Sequence, residues 1–479
     1  MTTGSVIGSP DARVLEALRA SGALGSAEVV PGELGHVRAG ESCAASGFGA
    51  PDTGQGGGEL VTSAAGQASA ELVASAAGRP SMPLTAHGGA VAEYEERFGT
   101  APLDFSANVN PFGMAPAALR VAREALAQAT AYPDPESREL RRALGAHLAL
   151  EASWVLPGNG AADLIWRLAA ALRPRRALVL APTFSEYELA LRGSGCGDIR
   201  HYALSREACF VPDEGLLEAV AGCDMAFVCN PNNPTGVTAS TGLLERLARR
   251  CHDEGCVLVV DECFNGFLDD PGAHTLRPLL GELDNLAVLS AFTKLYGMPG
   301  LRLGYLLSSN ERLLARVSAA GQAWPVSNVA QAAGVAALGE GAWVRRTRSA
   351  VSRERARLRA ELAGLGLAVL PGEANYLCFS GPAGLYEAMA QRGVIIRDCR
   401  AYEGLDEGDY RVAVRLPDAN DRLVRILRDA LGALRANQDL PRNWESSCKS
   451  GPPRNRESSR TPDPSRNQDP SPEEGSPHA

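Results

Sequence analysis

The chain has 479 residues, of which 45% are apolar, and it carries a formal net charge of −9. This length suffices for two domains with a large core, and a negative charge without a basic stripe argues against nucleic-acid binding. No apolar run approaches the roughly 18 residues that a membrane span needs. Residues 1–8 have neither a basic leader nor an apolar core, so we expect a cytoplasmic protein without a signal peptide.

The ends of the chain differ in composition from its centre. Residues 1–84 are rich in Gly, Ala and Ser and predict a low-complexity extension, in which residues 11–20 could form a short helix. From residue 437 to 479 the chain is rich in Pro, Ser, Arg and Glu, which predicts a disordered tail. We expect a folded core between them: a large domain over 129–328, a small C-terminal domain over 329–436, and a segment over 85–128 that joins the small domain.

Apolar runs alternate with helical patterns through the centre of the chain. This alternation predicts an α/β fold, with a mostly parallel sheet flanked by helices in the large domain. The predicted strands are 177–180, 199–203, 225–229, 257–260, 286–289 and 303–307. After about residue 330 the pattern changes to a long charged helix over 342–362, followed by short strands and helices, which favours a smaller α+β domain.

The eleven cysteines are scattered, and several lie in or beside apolar runs, as Cys229, Cys263 and Cys378 do. This distribution favours buried thiols in a reducing compartment. Cys251 and Cys256 have no second pair at the spacing of a zinc site, so we expect no metal centre.

Polar or glycine-rich motifs follow several of these runs, and ligands of parallel sheets bind at the carboxyl ends of strands. Gly158-Asn-Gly160 precedes the apolar segment 161–172, and a glycine-rich turn that opens a helix exposes N–H groups to a phosphate. Asn230-Pro-Asn-Asn-Pro-Thr-Gly236 follows 225–229 and reads as a turn. It also places amide side chains at the end of a strand.

Asp261 closes the run 257–260, and a carboxylate there is costly to bury unless it meets a cation. The pyridinium nitrogen of pyridoxal phosphate is such a cation. Lys294 follows 286–289 and is itself followed by Gly, Pro and Arg, a pattern that suits a Schiff-base lysine, with Thr293 and Arg302 placed to hold a phosphate. Taken alone, a lysine after a strand would be a surface residue, but these elements in this order favour a cofactor site.

Taken together, the motifs resemble the fold-type I pyridoxal-phosphate enzymes over the whole core. Among these, the chain is most similar to the threonine-phosphate decarboxylases of cobalamin biosynthesis, which are relatives of the histidinol-phosphate aminotransferases. The passages that carry this likeness are residues 86–89, 103–111, 294–304 and 410–415. The aminotransferases usually have Asn-Glu-Asn-Pro at 108–111, Tyr where Phe264 stands and Gly where Arg415 stands.

The resemblance implies a role for each residue that matches a family motif. It implies that Lys294 binds the cofactor covalently and that Asp261 pairs with its pyridine nitrogen. The other implied cofactor contacts are Asn233 at the phenolic oxygen, Phe184 on the ring face, and Gly160, Ala161, Thr293, Arg302 and, from a second subunit of a homodimer, Tyr132 at the phosphate. The implied substrate contacts are Arg411 at the α-carboxylate and Arg397, His87 and Asn108 near the substrate phosphate.

Two positions depart from the family pattern. Ala161 stands where some relatives carry Glu, and Ala291 stands where a hydroxyl residue is usual. The second departure removes one phosphate ligand, which bears on cofactor affinity and not on the fold.

Five of the residues that the resemblance assigns to the site also have a purely structural interpretation. Tyr132 could lie in a simple turn, Arg397 could end in a surface salt bridge, Arg411 could face solvent, Phe184 could be core packing, and His87 could be part of a flexible tether.

The resemblance implies decarboxylation of a small phosphorylated amino acid, L-threonine O-3-phosphate. The reaction depends on which Cα bond is aligned for cleavage, so transamination of the histidinol-phosphate type stays open as the alternative. A non-catalytic ligand-binding or regulatory protein on the same fold is a third interpretation, and the intact Lys294 argues against it.

Overall fold

The computed structural model describes residues 89–437. The predicted extension over 1–84, His87 and the predicted tail beyond residue 437 lie outside the described residues. The boundaries of the large and small domains stay predictions.

A seven-stranded sheet is the centre of the fold, in the order β2-β8-β7-β6-β5-β3-β4. Its strands are β2 (Val155–Gly158), β3 (Arg176–Ala181), β4 (Asp198–Ala203), β5 (Met225–Cys229), β6 (Val257–Asp261), β7 (Leu286–Ala291) and β8 (Gly304–Leu307). Strands β4, β3, β5, β6 and β7 run parallel, whereas β8 is antiparallel to both β7 and β2. The prediction of a mostly parallel α/β sheet is therefore confirmed, and all six predicted strands are present.

Strand β2 was not predicted from the sequence. It lies at the edge of the sheet and contains Pro157, which pairs with Tyr305 of β8. Because proline lacks a backbone N–H, it weakens a strand pattern and is tolerated mainly at edges. This explains why the segment before Gly158 is not among the predicted strands.

Helices cover both faces of the sheet. The helices are α1 (Val91–Phe98), α2 (Pro116–Ala125), α3 (Arg138–Leu148), α4 (Ala161–Leu172), α5 (Glu186–Gly193), α6 (Gly215–Ala219), α7 (Thr241–Asp253), α8 (Phe292–Leu295), α9 (Glu311–Ala319), α10 (Asn328–Leu338), α11 (Gly341–Gly364), α12 (Leu385–Ala390) and α13 (Pro417–Asn437). Leu258 and Val260 of β6 pack with residues of α3, α7 and α10. Val259, between them, packs with α4, α5 and α9 on the other face. Because successive side chains alternate between faces, a strand buried on both sides reads as a continuous apolar run.

The C-terminal part of the described chain builds two smaller sheets and a separate apolar cluster. One sheet pairs β1 (Leu103–Asp104) with β11 (Val394–Ile395), and the other has the order β12-β13-β10-β9. Its strands are β9 (Ala368–Val369), β10 (Tyr376–Ser380), β12 (Arg397–Asp398) and β13 (Asp409–Ala413). Helices α11 and α13 supply Leu358, Leu362 and Leu427 to this cluster. The long charged helix predicted over 342–362 is α11.

Within residues 89–437, no helix combines the length and the apolar character needed to cross a bilayer. Eight cysteines of this range are free thiols, and seven of these are buried. Cys209 is an exception to the prediction that the cysteines are thiols, because it is disulfide-bonded.

Candidate active site

The carboxyl ends of β5, β6 and β7 meet at one edge of the central sheet. Cys229 lies opposite Asp261, and Asp261 lies opposite Leu289 in the strand register. The residues that follow these strands therefore surround one cavity. It is lined by Ala161, Ala162, Phe184, Tyr187, Cys229, Asn233, Asp261, Cys263, Phe264, Thr293, Lys294 and Arg302. Seven residues named from the sequence as cofactor contacts are in this set.

Lys294 lies in α8, the single helical turn that follows β7. Its Nζ atom is 5.5 Å from the centroid of the Phe264 ring. Burial lowers the pKa of the Lys294 ammonium, and the positive charges of Arg411 and Arg302 lower it further, against the opposing effects of Cys263 and Asp261. A lowered pKa favours the neutral amine, which is the form that attacks a carbonyl carbon.

Asp261 is only 5% exposed and is held at both carboxylate oxygens. The backbone N–H of Cys263 donates to its Oδ1 at 2.9 Å, and the hydroxyl of Tyr187 donates to its Oδ2 at 2.8 Å. Burial raises the pKa of Asp261, while these two hydrogen bonds and the charge of Lys294 act in the opposite direction. The carboxyl group is thus fixed in place and directed into the cavity, where a cationic ring nitrogen would offset the cost of its burial.

Tyr187 is a site residue that the sequence reasoning missed. Its ring stacks on Phe227 at 4.8 Å and meets Phe184 edge-to-face at 5.6 Å. In the turn that precedes α5, the backbone N–H of Tyr187 donates to the carbonyl oxygen of Phe184 at 3.3 Å, which keeps the two residues close. An apolar neighbourhood makes Tyr187 look like a core residue until its hydroxyl is traced to Asp261.

The N-terminus of α4 and Arg302 form an anion cradle beside Lys294. Gly160 begins the helix with φ +84°, and a Cβ there would lie 2.6 Å from Arg302 Nη2. A Cβ on Gly304 would lie 2.6 Å from the backbone nitrogen of Ala161. Glycine at 160 therefore leaves room for the guanidinium of Arg302, and glycine at 304 lets β8 lie close to the start of the helix. Thr293 is buried next to Lys294. Such an arrangement suits a phosphate group.

Arg411 lies in the interior and contacts two of the predicted site residues. Its Nη1 donates to Asn233 Oδ1, and its Nη2 donates to the carbonyl oxygen of Ser106 at 2.9 Å. When the side-chain amide of Asn108 is oriented with its oxygen towards Arg411, this oxygen accepts hydrogen bonds from Arg411 Nε at 3.2 Å and Nη1 at 3.3 Å. Since Arg411 is only 5% exposed, the alternative that it faces solvent is wrong.

Arg397 lies next to Arg411 on the neighbouring strand. The two residues are directly paired in the antiparallel register of β12 and β13, so their side chains leave the sheet on the same face. Arg397 is 7% exposed, and its guanidinium lies 5.5 Å from the centroid of the Tyr402 ring. It is therefore not a surface residue. Two like charges directly opposite each other repel, so this pair favours an anionic ligand.

Tyr132 is a predicted cofactor contact that does not line the cavity of its own chain. It is 80% exposed and stacks on Trp324, itself 46% exposed, with the ring centroids 4.5 Å apart. Among the described residues, no group of three or more His, Cys, Asp or Glu could bind a metal ion.

The residues of the cavity fit pyridoxal phosphate. A buried amine, a fixed carboxylate and an anion cradle line one small space, and Phe184 offers an aromatic surface beside Asp261 and Lys294. The cofactor has an aldehyde, a ring nitrogen and a phosphate, which match these three groups in kind.

Comparisons with known proteins agree with this geometry. Residues 100–427 match the family model described as aminotransferase class I and II. Threonine-phosphate decarboxylase from Salmonella typhimurium is 38% identical over 72% of this chain and 97% of its own length. Histidinol-phosphate aminotransferase from Symbiobacterium thermophilum is 36% identical over 68% of this chain and 89% of its own length. Among solved structures, histidinol-phosphate aminotransferase from Sinorhizobium meliloti in complex with pyridoxal-5'-phosphate aligns with a TM-score of 0.64 at 22% identity, covering 74% of this chain and 96% of that one. This last likeness concerns the fold alone.

Proposed function

This chain belongs to the class I and II aminotransferase family, and we propose that it is a pyridoxal-phosphate-dependent decarboxylase of L-threonine O-3-phosphate. The products would be carbon dioxide and (R)-1-aminopropan-2-yl phosphate, in cobalamin biosynthesis. The observation that carries the proposal is the buried pair Arg397 and Arg411, with Arg411 close enough to Lys294 to lower its pKa. A substrate with two anionic groups suits two separate guanidinium groups, and the 38% identical Salmonella decarboxylase supports the same substrate class.

Bound pyridoxal phosphate would supply an electron sink for the bond that breaks at the substrate's Cα. Lys294 would hold the cofactor covalently, since burial lowers the pKa of its ammonium and so favours the neutral amine. The N-terminus of α4, Thr293 and Arg302 would bind the phosphate, and Asn233 would contact the phenolic oxygen. Phe184 would lie against the ring.

Asp261 would accept a hydrogen bond from the protonated ring nitrogen. Tyr187 and the backbone of Cys263 hold its two oxygens, so the carboxylate cannot rotate out of position. These hydrogen bonds also favour its charged form against the effect of burial, and a charged Asp261 keeps the proton on the ring nitrogen.

The choice of reaction depends on how the substrate's carboxylate is held. Arg411 would bind it, and the contacts of Arg411 with Asn233 and Ser106 fix the direction of the guanidinium. Arg397, on the neighbouring strand, would bind the substrate phosphate. Binding at this remote group can hold the reacting bond in its productive orientation. Cα needs one proton in place of the carbon dioxide that leaves. Lys294 Nζ would deliver it, having taken it from the ammonium group of the incoming substrate.

Transamination of the histidinol-phosphate type is the second candidate. It is favoured by the 36% identical aminotransferase from Symbiobacterium thermophilum. In that reaction Lys294 would remove the Cα proton, and no carbon–carbon bond of the substrate would break. The same cavity residues serve both reactions, so the products distinguish them.

Product analysis with L-threonine O-3-phosphate tests the proposal. We expect carbon dioxide and aminopropanol phosphate in equal amounts, without any added amino acceptor. A keto-acid product that forms only with an amino acceptor, together with transamination of histidinol phosphate, would replace the decarboxylase by the aminotransferase.

We also propose a homodimer whose active sites are composite. The exposed stack of Tyr132 and Trp324 presents a phenol group outside the cavity of its own protomer. In a dimer this hydroxyl would reach the cofactor phosphate of the partner, and the symmetry of the pair would supply both sites in the same way.

A further inference from the structure

A second cavity, of about 420 Å³, lies beside the proposed cofactor cavity. Asp261 lines the first cavity, and the next residue, Glu262, lines the second. Cys263 lies in the wall that the two share. The mechanism proposed above leaves this second cavity without a role.

Positive charge dominates the lining of the second cavity. Arg277, Arg345 and Arg348 line it, and Glu262 is its one acidic side chain among the described residues. His147 also lines it, and burial and the charge of Arg277 lower the pKa of this imidazole, which favours its neutral form. Three arginines against one carboxyl group leave a net charge of +2, or +3 when Glu262 is protonated.

Helix α11 increases this positive potential. Its first turn contains no acidic residue, and no side chain caps its N-terminus. Glu340, which precedes it, accepts instead from the backbone nitrogen of Ala117 at 2.8 Å. Arg345 lies back along this turn, with its Nη1 3.4 Å from where a Cβ on Gly341 would stand. A helix N-terminus attracts anions and disfavours cations, so an arginine here calls for a negative partner.

Within the described residues, Arg345 has neither a hydrogen-bond nor an ion-pair partner. Arg348 uses its Nε for the carbonyl of Gly266, and Arg277 uses its Nε for Thr275. Glu262 accepts from the hydroxyl of Thr275 and the backbone of Leu276 and stays 3.9 Å from Arg277. The terminal guanidinium nitrogens therefore remain available to a ligand.

We propose that this second cavity binds a phosphate monoester with a small apolar body, at a site separate from the reaction. The net charge of +2 matches the dianion of such an ester, and guanidinium groups bind phosphate oxygens in pairs. The rest of the lining includes Leu148, Val288, Leu307, Leu338 and Val344. These side chains suit a hydrocarbon body and leave inorganic phosphate without contacts on that side.

The site can be tested by calorimetry, in which phenyl phosphate is titrated into the full chain loaded with cofactor. The Arg345→Gln variant should bind about tenfold more weakly or worse, because a hydrogen bond to a charged group is lost. Arg346→Gln is the matched control: Arg346 is the next residue of the same helix, and its guanidinium lies over Phe112 at 4.6 Å outside the cavity. Its affinity should equal that of the wild type. Inorganic phosphate should bind more weakly than phenyl phosphate.

Arg397→Ala separates this site from the proposed substrate site. Phenyl phosphate should still bind to Arg397→Ala protein. The double variant, Arg397→Ala with Arg345→Gln, should bind it more weakly than Arg397→Ala alone. Glu262→Gln, which removes the one negative charge, should tighten binding at pH 8. The proposal is overturned if wild-type protein does not bind phenyl phosphate, if Arg345→Gln binds as tightly as Arg346→Gln, or if Arg397→Ala alone abolishes all binding. None of these results depends on which reaction the enzyme catalyses.

Discussion

The hydroxyl of Tyr187 donates a hydrogen bond of 2.8 Å to Asp261, and both side chains are buried. Tyr187 lies in helix α5 and Asp261 at the end of β6, so the bond joins the helix layer to the sheet at the site. Its donor is neutral and its acceptor is a carboxylate, and bonds of this kind are stronger than those between neutral groups. With the proposed cofactor bound, the tyrosine would act on the ring nitrogen through Asp261.

Tyr187→Phe should weaken the binding of pyridoxal phosphate. A hydrogen bond to a charged group contributes about 1.5–3 kcal/mol, which corresponds to roughly ten- to a hundredfold in affinity. Titration of cofactor-free protein measures the change. An analogue with a CH group in place of the ring nitrogen should bind equally to the variant and to the wild type, since Tyr187 acts only through that nitrogen.

Tyr94→Phe is the matched control for this experiment. Tyr94 is also buried, and its hydroxyl donates to the backbone carbonyl of Ala390 at 2.7 Å, away from the cavity. It should lose stability without any change in cofactor affinity. Equal losses of affinity for the cofactor and for the analogue in Tyr187→Phe would show that Tyr187 serves packing alone.

Borohydride reduction should fix the cofactor on Lys294 and abolish the visible absorbance of the protein. The position of the adduct is easy to assign, because the sequence contains only two lysines, Lys294 and Lys449. Lys294→Ala protein should yield no reduced adduct, and Lys449→Arg protein should yield the wild-type amount. Peptide mapping that places the adduct on Lys449 or on the N-terminal amine would refute the cofactor assignment.

The stability of the protein should depend on the ionisation of Glu262. Burial raises the pKa of this carboxyl group from 4.5 to about 7, so the folded state binds its proton more tightly than the unfolded chain does. Stability should therefore fall as the pH rises from about 4.5 to about 7 and should level off above that. At about 1.4 kcal/mol per pKa unit, the loss is roughly 3 kcal/mol.

Glu262→Gln should remove this pH dependence, since an amide does not titrate. Chemical unfolding at pH 5, 6, 7 and 8 measures the difference in stability between wild type and variant. As the pH rises across this range, the free energy of unfolding of the variant should increase relative to that of the wild type. A difference that stays constant with pH would mean that Glu262 is ionised throughout.

Mixing two defective variants tests the composite active site. In a hybrid of Lys294→Ala and Tyr132→Ala protomers, one site keeps Lys294 from one chain and would receive Tyr132 from the other. Random exchange makes half of the dimers hybrid, so about a quarter of all sites should recover activity. Variants at Lys294 and Asp261, which share one cavity, should show no recovery on mixing. A protein that is monomeric and fully active at micromolar concentration would rule out the arrangement.

The central sheet could be predicted from the sequence because its strands are buried on both faces. Leu258 and Val259 point to opposite sides of the sheet and yet both are apolar, so the whole strand stands out. Edge strand β2 has no such pattern, since it is short and contains Pro157. Its detection depends on pairing with β8, which is 146 residues or more away in the chain and leaves no local signal.

Site residues could be predicted where a chemical group contradicts its local surroundings. Asp261 at the end of an apolar strand is one case, and Lys294 is another in a chain whose 47 basic residues include only two lysines. Tyr187 does not contradict its surroundings, because a tyrosine among apolar residues is ordinary. The second cavity brings together Arg277 and Arg345 from separate parts of the chain. Only the folded structure shows that they share one space.

Substitution of Arg411 and substitution of Arg397 should impair the proposed reaction in different ways. Arg411→Ala should lose most decarboxylation and keep the covalently bound cofactor, because Lys294 and Asp261 remain intact. Loss of the charge-assisted contact costs about 1.5–3 kcal/mol, or roughly ten- to a hundredfold in rate if the contact acts only in the transition state. Arg397→Ala should instead weaken the binding of threonine phosphate and bring its KM towards that of unphosphorylated threonine. The two variants should therefore separate, with kcat falling in the first and KM rising in the second. If both variants lose the same preference for phosphate, the assignment of Arg411 to the carboxylate is wrong.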